Sequence, residues 1–232
     1  MSASPSSFPK RPQSRDVLDE LLHSLSQPLT SLRCSLELSL NPSLDLSIDE
    51  AADQQQESVA VALQQTEQIV GMIQLMREYL DAGQPGPGAY SAALAPAMRS
   101  VVEELSSIAA VRSVRLRLVG TCAATVPVPE SRLRLALQYL IATMIDAQPV
   151  GGRVMLLLGE GPAEAVLRVE GDRRCRQPAA ATSTLRRARL AIASRVLETA
   201  GASLVFGDPG PAISDPAGFV LRIPRRVAAP PR

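Results

Sequence analysis

Leucines at alternating steps of four and three residues restrict the possible fold of this chain more than any other feature of its sequence. They are Leu18, Leu22, Leu25, Leu29, Leu32 and Leu36. This spacing places all of them on one side of an α-helix and is typical of coiled coils and helix bundles. The sequence therefore predicts a long helix that begins near Asp16 and ends near Asn41-Pro42.

A second stretch repeats the pattern after a connector and predicts another helix of about 30 residues. Its seam positions are Ala62, Thr66, Ile69, Ile73, Met76 and Leu80. Two amphipathic helices joined in this way form an antiparallel hairpin. Because one hairpin leaves its apolar stripe half covered, we expect two copies to pair as a four-helix bundle, which makes the protein a homodimer.

The run Gly83-Gln84-Pro85-Gly86-Pro87-Gly88 is the strongest break in the sequence. Alternating Gly and Pro continue neither a helix nor a strand, so we predict a linker at 83–90 after a hairpin domain at 16–82. Residues 1–15 are rich in Ser and Pro and are expected to form a disordered leader. Residues 226–232 are expected to be a loose tail.

Residues 91–225 form the second predicted domain, in which the sequence pattern indicates both helices and strands. Helices are predicted at 94–110, 130–147 and 184–200, and strands at 114–118, 153–158, 165–170, 203–206 and 218–223. Helices interleaved with a mixed, mostly antiparallel sheet form a two-layer α/β sandwich. The predicted fold class is therefore α+β, with a helical hairpin that forms a dimeric four-helix bundle followed by the sandwich.

Composition excludes several classes of partner and site. With 24 basic and 23 acidic side chains, the whole-chain charge indicates neither a nucleic-acid nor a membrane partner. No apolar run reaches the roughly 20 residues of a membrane helix and no hydrophobic signal segment is present, so a cytoplasmic location is expected. The three cysteines share no ligand-like spacing. The single histidine is His23, so any histidine chemistry must use it.

The segment His23-Ser24-Leu25-Ser26-Gln27-Pro28-Leu29-Thr30 resembles the phosphoacceptor box of histidine kinases, whose usual forms read HELRTPL or HELNQPL. With Leu22 and Leu25 in the seam, His23 is expected on the outward side of the same turn. Pro28 cannot donate a hydrogen bond, so the helix is expected to bend one turn past the histidine. An isolated H-x-x-x-x-P also arises by chance, but the two heptad helices and the following α/β domain favour the resemblance.

A second resemblance covers 91–224 and implies an ATPase-like domain of the histidine kinase type. Residues 133–140 and 149–154 are similar to the asparagine-box helix of that family and the Gly-Gly turn that follows it. Residues 190–201 are similar to the helix after the second glycine box, and 218–224 to the final strand. Together with the hairpin, the resemblance spans nearly the whole predicted ordered chain.

The family's nucleotide-binding residues are missing at the matching positions. The asparagine that ligates magnesium in active members aligns with Tyr139 or Thr143. Of the first glycine box, D-x-G-x-G, only Asp172 could remain, and in the second, G-x-G-L, Arg187 and Arg189 occupy the glycine positions. The resemblance therefore implies no bound cofactor and no ATP-dependent autophosphorylation, since phosphoryl transfer depends on positioning and charge neutralisation.

Two further features bear on phosphate chemistry. The arginines of the predicted lid and the helix after it could bind phosphate directly, but we interpret them as a solvated basic face; they are Arg173, Arg174, Arg186, Arg187 and Arg189. Ser24 replaces the carboxylate that in active kinases follows the histidine and holds its imidazole tautomer. Its loss should hinder attack on ATP more than attack on an aspartyl phosphate, which is a more reactive donor.

The whole pattern resembles the two-domain histidine phosphotransferases of bacterial phosphorelays. That resemblance implies that His23 accepts a phosphoryl group from a receiver-domain aspartate and passes it to another receiver, which brings its own magnesium. The expected receiver contacts are Ser24, Ser26, Gln27 and Thr30, with the sandwich as a docking surface. Two alternatives stay open: a pseudo-histidine-kinase that regulates a response regulator or a kinase without being phosphorylated, and an active kinase with atypical boxes.

Overall fold

The structure is a computed structural model that describes residues 14–40, 48–84, 91–161, 163–172, 180–206 and 218–224. The chain divides into two compact units, Met1–Met76 and Arg77–Arg232. The predicted leader up to residue 13, the linker from residue 85 and the tail lie outside the described residues.

The first unit consists of two long helices, as the leucine spacing predicts. Helix α1 spans Ser14–Leu40 and helix α2 spans Ile48–Ala82. Pro28 lies inside α1 without ending it. The last six residues of α2 belong to the second unit. None of the helices in the described ranges combines the length and apolar character of a membrane-spanning helix.

The buried face of α1 lies beside the predicted leucine seam rather than on it. Val17, Leu21, Pro28 and Ser35 are buried and recur at steps of four and seven residues, so they share one side of the helix. The neighbouring row remains exposed, at 55% for Leu22, 50% for Leu29 and 47% for Leu36. Within the described part of one chain, the apolar side of α1 is therefore only half covered.

The second unit contains a five-stranded sheet in the order β2-β4-β5-β7-β6. Its strands are β2 (Arg115–Gly120), β4 (Arg153–Glu160), β5 (Glu164–Gly171), β6 (Ser203–Phe206) and β7 (Gly218–Pro224). Only the β2–β4 pair is parallel. A separate antiparallel pair joins β1 (Ala92–Ala93) to β3 (Thr125–Val126). These two strands are too short to show an alternating pattern, so the sequence does not reveal them.

Three helices cover one face of the sheet and complete the predicted two-layer sandwich. They are α3 (Leu94–Val111), α4 (Glu130–Asp146) and α5 (Ala180–Thr199). Helix α4 contacts both α3 and α5. The core between the layers is built from side chains such as Leu140, Ile141, Leu156 and Leu167, all fully buried. The fold class is therefore the predicted one, although α5 begins four residues earlier than the sequence predicts.

Gly171 is required by the close approach of Gln148, and this gives a first testable prediction. A Cβ atom on Gly171 would lie 2.3 Å from Nε2 of Gln148. The buried Gln148 amide is held in place, because Nε2 donates to the Met144 carbonyl at 3.2 Å and Oε1 accepts from the Asp172 N–H at 2.9 Å. We expect Gly171→Ala to lower the free energy of unfolding by about 1–3 kcal/mol in a denaturant titration.

The matched control is Gly159→Ala in strand β4. A Cβ atom there would have no atom within 4 Å, so its effect should stay within about 0.5 kcal/mol. Equal unfolding free energies for the two variants would contradict this prediction, because they would show that the Gln148 side chain can shift to accommodate a Cβ atom at position 171 without a cost in stability.

Candidate functional site

His23 lies on the solvent-facing side of α1. Its side chain is exposed, two residues after the fully buried Leu21. At about 100° of rotation per residue, His23 is on the opposite side of the helix from Leu21. The burial of Val17, Leu21 and Pro28 therefore orients the imidazole towards solvent, where a partner protein can reach it.

Three of the four predicted partner contacts share this side of the helix. Ser26, Gln27 and Thr30 are exposed, and the Thr30 hydroxyl donates to the Ser26 carbonyl at 2.8 Å. Ser24 differs, because it is half-buried and its hydroxyl donates to the Glu20 carbonyl at 2.8 Å. The Ser24 hydroxyl is therefore committed to its own helix rather than to the imidazole.

Tyr139 and Thr143 lie on helix α4, at the positions of the family's magnesium-binding asparagine. The Thr143 side chain is buried, and its hydroxyl donates to the Tyr139 carbonyl at 2.7 Å. The Tyr139 hydroxyl donates to the carboxylate of Glu78, in the last turns of α2. Burial raises the pKa of the Tyr139 phenol above its usual value, and the hydrogen bond to Glu78 raises it further. Both hydroxyls are thus neutral donors to protein groups, which does not fit a magnesium ligand.

Arg189 of helix α5 occupies the space beside this face of α4. Its guanidinium carbon lies 5.8 Å from the centre of the Tyr139 ring, within the range of a cation–π contact. Its Nη1 lies 3.8 Å from the Asp146 carboxylate, which also lies 3.2 Å from Nη2 of Arg112. The family's nucleotide side of α4 is therefore lined by protein charges that already neutralise one another.

The basic residues of this region are not the uniformly solvated face that the sequence predicts. Arg187 is exposed, but Arg186 is buried and Arg189 is half-buried. The prediction of a solvated face is wrong for Arg186 and Arg189, because they lie on the side of α5 that faces the interior of the second unit. Arg173 and Arg174 lie outside the described residues.

Sequence reasoning also missed Asp146, although a signal was present. Tyr139, Thr143 and Asp146 follow one another at steps of four and three residues, so they share one face of α4. Glu78 and Arg112 gave no comparable signal, because both are distant from α4 in sequence.

The second glycine-box positions lie inside helix α5. The helix begins at Ala180, so Arg187 is already in its third turn. Only the first four N–H groups of a helix lack an intrahelical acceptor, and the backbone at 187–189 is beyond them. That backbone cannot supply free N–H groups to a phosphate, whatever side chains occupy positions 187 and 189. Neither the metal site nor the phosphate site of the family fits these residues.

Asp172, at the position of the family's adenine-reading aspartate, is held by neighbouring side chains. Its N–H donates to Oε1 of Gln148, and its carboxylate lies 4.0 Å from Nη2 of Arg153. The carboxylate is therefore placed next to an arginine of strand β4.

Comparison with solved structures identifies the fold. The Acinetobacter baumannii histidine kinase AdeS is similar over 88% of this chain and 98% of its own, with a TM-score of 0.64 and 13% identity. Full-length ShkA in complex with AMPPNP is similar over 92% of this chain but only 47% of its own, with a TM-score of 0.55 and 17% identity. No protein-family model and no curated protein sequence matches significantly. The fold is that of a histidine kinase core, with a helical hairpin and an ATPase-like sandwich.

The hydrogen bond between Tyr139 and Glu78 predicts a stability difference that depends on pH. At neutral pH, Tyr139→Phe should lower the free energy of unfolding by about 1–2 kcal/mol, because Glu78 loses a donor. Tyrosine in the unfolded chain ionises above pH about 10, whereas the raised pKa keeps Tyr139 protonated in the folded protein. The wild type should therefore lose stability above that pH and the variant should not, so the difference should shrink.

Denaturant titrations from neutral to alkaline pH measure this difference. Glu78→Gln, alone and combined with Tyr139→Phe, completes a double-mutant cycle and isolates the pairwise interaction. A difference that stays constant across the pH range would contradict the assignment.

Proposed function

We propose that this chain is a histidine phosphotransferase-like signalling protein, in which His23 accepts a phosphoryl group from a receiver-domain aspartate and passes it to another receiver. The observation that supports this most is a contrast between the two units. His23 is exposed on its helix, whereas the Tyr139 face of α4 is closed by Glu78, Asp146 and Arg189. An exposed histidine, together with a helix face whose polar groups are paired with one another, supports transfer from a receiver rather than from ATP.

The transfer needs little from the chain beyond a presented imidazole. A nitrogen lone pair of neutral His23 attacks the phosphorus of the aspartyl phosphate, so an N–P bond forms. The P–O bond to aspartate breaks, and its electron pair leaves with the carboxylate. A carboxylate is a good leaving group and the receiver's magnesium neutralises the phosphoryl oxygens, so the absence of a carboxylate at Ser24 is tolerable. The reverse attack, by a second receiver's aspartate, completes the relay.

The receiver would contact α1 around His23. Ser26, Gln27 and Thr30 are exposed on the same side of the helix and form the nearest contact surface. Ser24 is half-buried and would lie at the edge of this contact surface.

Phosphotransfer assays separate this proposal from its alternatives. We expect purified protein to take up label on His23 from a phosphorylated receiver with magnesium, and to take up none from ATP. His23→Ala should abolish the uptake completely, whereas the exposed neighbour variant Gln27→Ala should slow it and still allow it. Circular dichroism of both variants checks that α1 and α2 are intact.

Two other assay results would instead support an active kinase or a pseudo-histidine-kinase. Uptake of label from ATP would identify an active kinase. Binding of a receiver without any label, from all cognate receivers, would favour a pseudo-histidine-kinase and contradict phosphotransfer.

The hairpin would act as a homodimer. On α1 the exposed row of Leu22, Leu29 and Leu36 runs along one side of the helix, and on α2 large apolar side chains are exposed as well. Those of α2 in the first unit are Val59, Leu63, Val70 and Ile73. Rows of exposed large apolar side chains on both helices are unusual on a monomer, and a second hairpin would cover them as a four-helix bundle.

Substitution of one seam leucine tests the dimer. Leu29→Lys places two charges in a two-fold symmetric interface and removes the burial of two leucines, worth about 2 kcal/mol each. We expect the dimer to weaken by about 1,000-fold, measured by light scattering and sedimentation over a concentration series. Leu38→Lys is the matched control, since Leu38 is 56% exposed but lies outside the seam on the side of His23. If both variants stay dimeric, the leucine row is not the interface.

A further inference from the structure

The near-neutral charge of the whole chain conceals two oppositely charged units. Residues 1–76 carry 4 basic and 10 acidic side chains, whereas residues 77–232 carry 20 basic and 13 acidic ones. A receiver that holds magnesium with carboxylates and carries an aspartyl phosphate presents negative charge around its reacting group. The net negative charge of the unit that presents His23 disfavours such a partner, whereas the net positive charge of the second unit favours it.

Within the described residues, one face of the sandwich's sheet is covered by helices and the other face is open. Residues alternate between its two sides, and Val154, Leu156 and Leu158 of β4 are buried on the side of the helices. The residues between them point to the other side and are exposed or half-buried. The strand register aligns one row of this open side across all five strands, and the row is Val119, Leu157, Arg168, Val220 and Val205.

Arg168 lies in the middle of this otherwise apolar row, and four further arginines lie on the same face. The open side of the sheet carries Arg115, Arg117, Arg153, Arg168 and Arg222, and we call it the arginine face. Its acidic residues are Glu164 and Glu170.

Three of the arginines lie near carboxylates and two do not. The distances from nitrogen to carboxylate oxygen are 2.6 Å for Arg222 to Glu164, 3.7 Å for Arg168 to Glu170 and 4.0 Å for Arg153 to Asp172. Among the described residues, no carboxylate lies within ion-pair distance of Arg115 or Arg117. The positive charge on this face that no described carboxylate neutralises therefore lies on strand β2.

This composition suits a protein partner better than a nucleic acid. Arginine interspersed with exposed apolar side chains is characteristic of protein interfaces. Stacking of unpaired bases requires aromatic side chains, and the described residues of this face include none.

We propose that the arginine face is the surface on which the sandwich binds the receiver, with Arg115 and Arg117 attracting its acidic surface. The inference rests on the proposed function, because it takes the receiver as the occupant. It gives the ATPase-like unit a role that requires no nucleotide. Binding by the sandwich raises the local concentration of the receiver near His23, and the imidazole performs the transfer.

Kinetics of phosphotransfer with the full chain test this surface. The variant is Arg117→Glu, and the matched control is Arg99→Glu, the same charge change at an exposed residue of helix α3. With a magnesium-loaded, phosphorylated receiver at low ionic strength, we expect Arg117→Glu to raise KM about tenfold and leave kcat unchanged. The effect should shrink as salt is added, and Arg117→Lys should retain most of the wild-type KM.

A second variant probes the apolar row without changing charge. Val205→Ser, on the exposed edge strand β6, should raise KM severalfold with an unaltered salt dependence. Thermal unfolding of each variant confirms that the sandwich stays folded.

The inference and the proposed function fail in different ways. Equal KM values for Arg117→Glu and Arg99→Glu, or a fall in kcat alone, would overturn docking on the arginine face and leave transfer to His23 intact. If no receiver transfers its phosphoryl group to wild-type His23, the proposed function fails. In that case the dissociation constant of the magnesium-loaded receiver, measured by calorimetry with the same variants, still decides whether this face binds it.

Discussion

The rest of the first unit depends on an apolar arc on α1 that is wider than one neighbouring helix can cover. Leu21 and Pro28 are buried on one side, and the exposed row of Leu22 and Leu29 continues the apolar surface from there. A helix with one apolar side buried cannot rotate about its axis without exposing that side. His23 lies in the remaining sector, so its exposure follows from the positions of the leucines.

A comparable constraint acts on helix α4 in the second unit. The polar face of this helix needs partners, because unpaired polar groups near the core are costly. Tyr139 bonds to Glu78 and Asp146 pairs with Arg112 and Arg189, so the face is satisfied by the protein itself. The polar side chains of this face therefore stabilise the second unit through contacts with one another and with neighbouring residues.

Most of the fold could be predicted from the sequence because its signals are local. The leucine spacing gives α1, the alternation of Val154, Leu156 and Leu158 gives β4, and both hold in the structure. The side-chain pairs of the candidate site could not be predicted in this way. Tyr139 and Glu78 are 61 residues apart, and no local pattern relates them. The burial of Arg186 was missed for the same reason, since it depends on how α5 packs.

The sandwich constrains the two sides of its sheet differently. The side chains of Leu156 and Leu167 must fill the space under the helices, and any change in their volume affects the core. Arg115 and Arg117 contact no part of that core, so folding alone does not select their identity. The concentration of arginine on the open side of the sheet is therefore better explained by the proposed partner than by the fold.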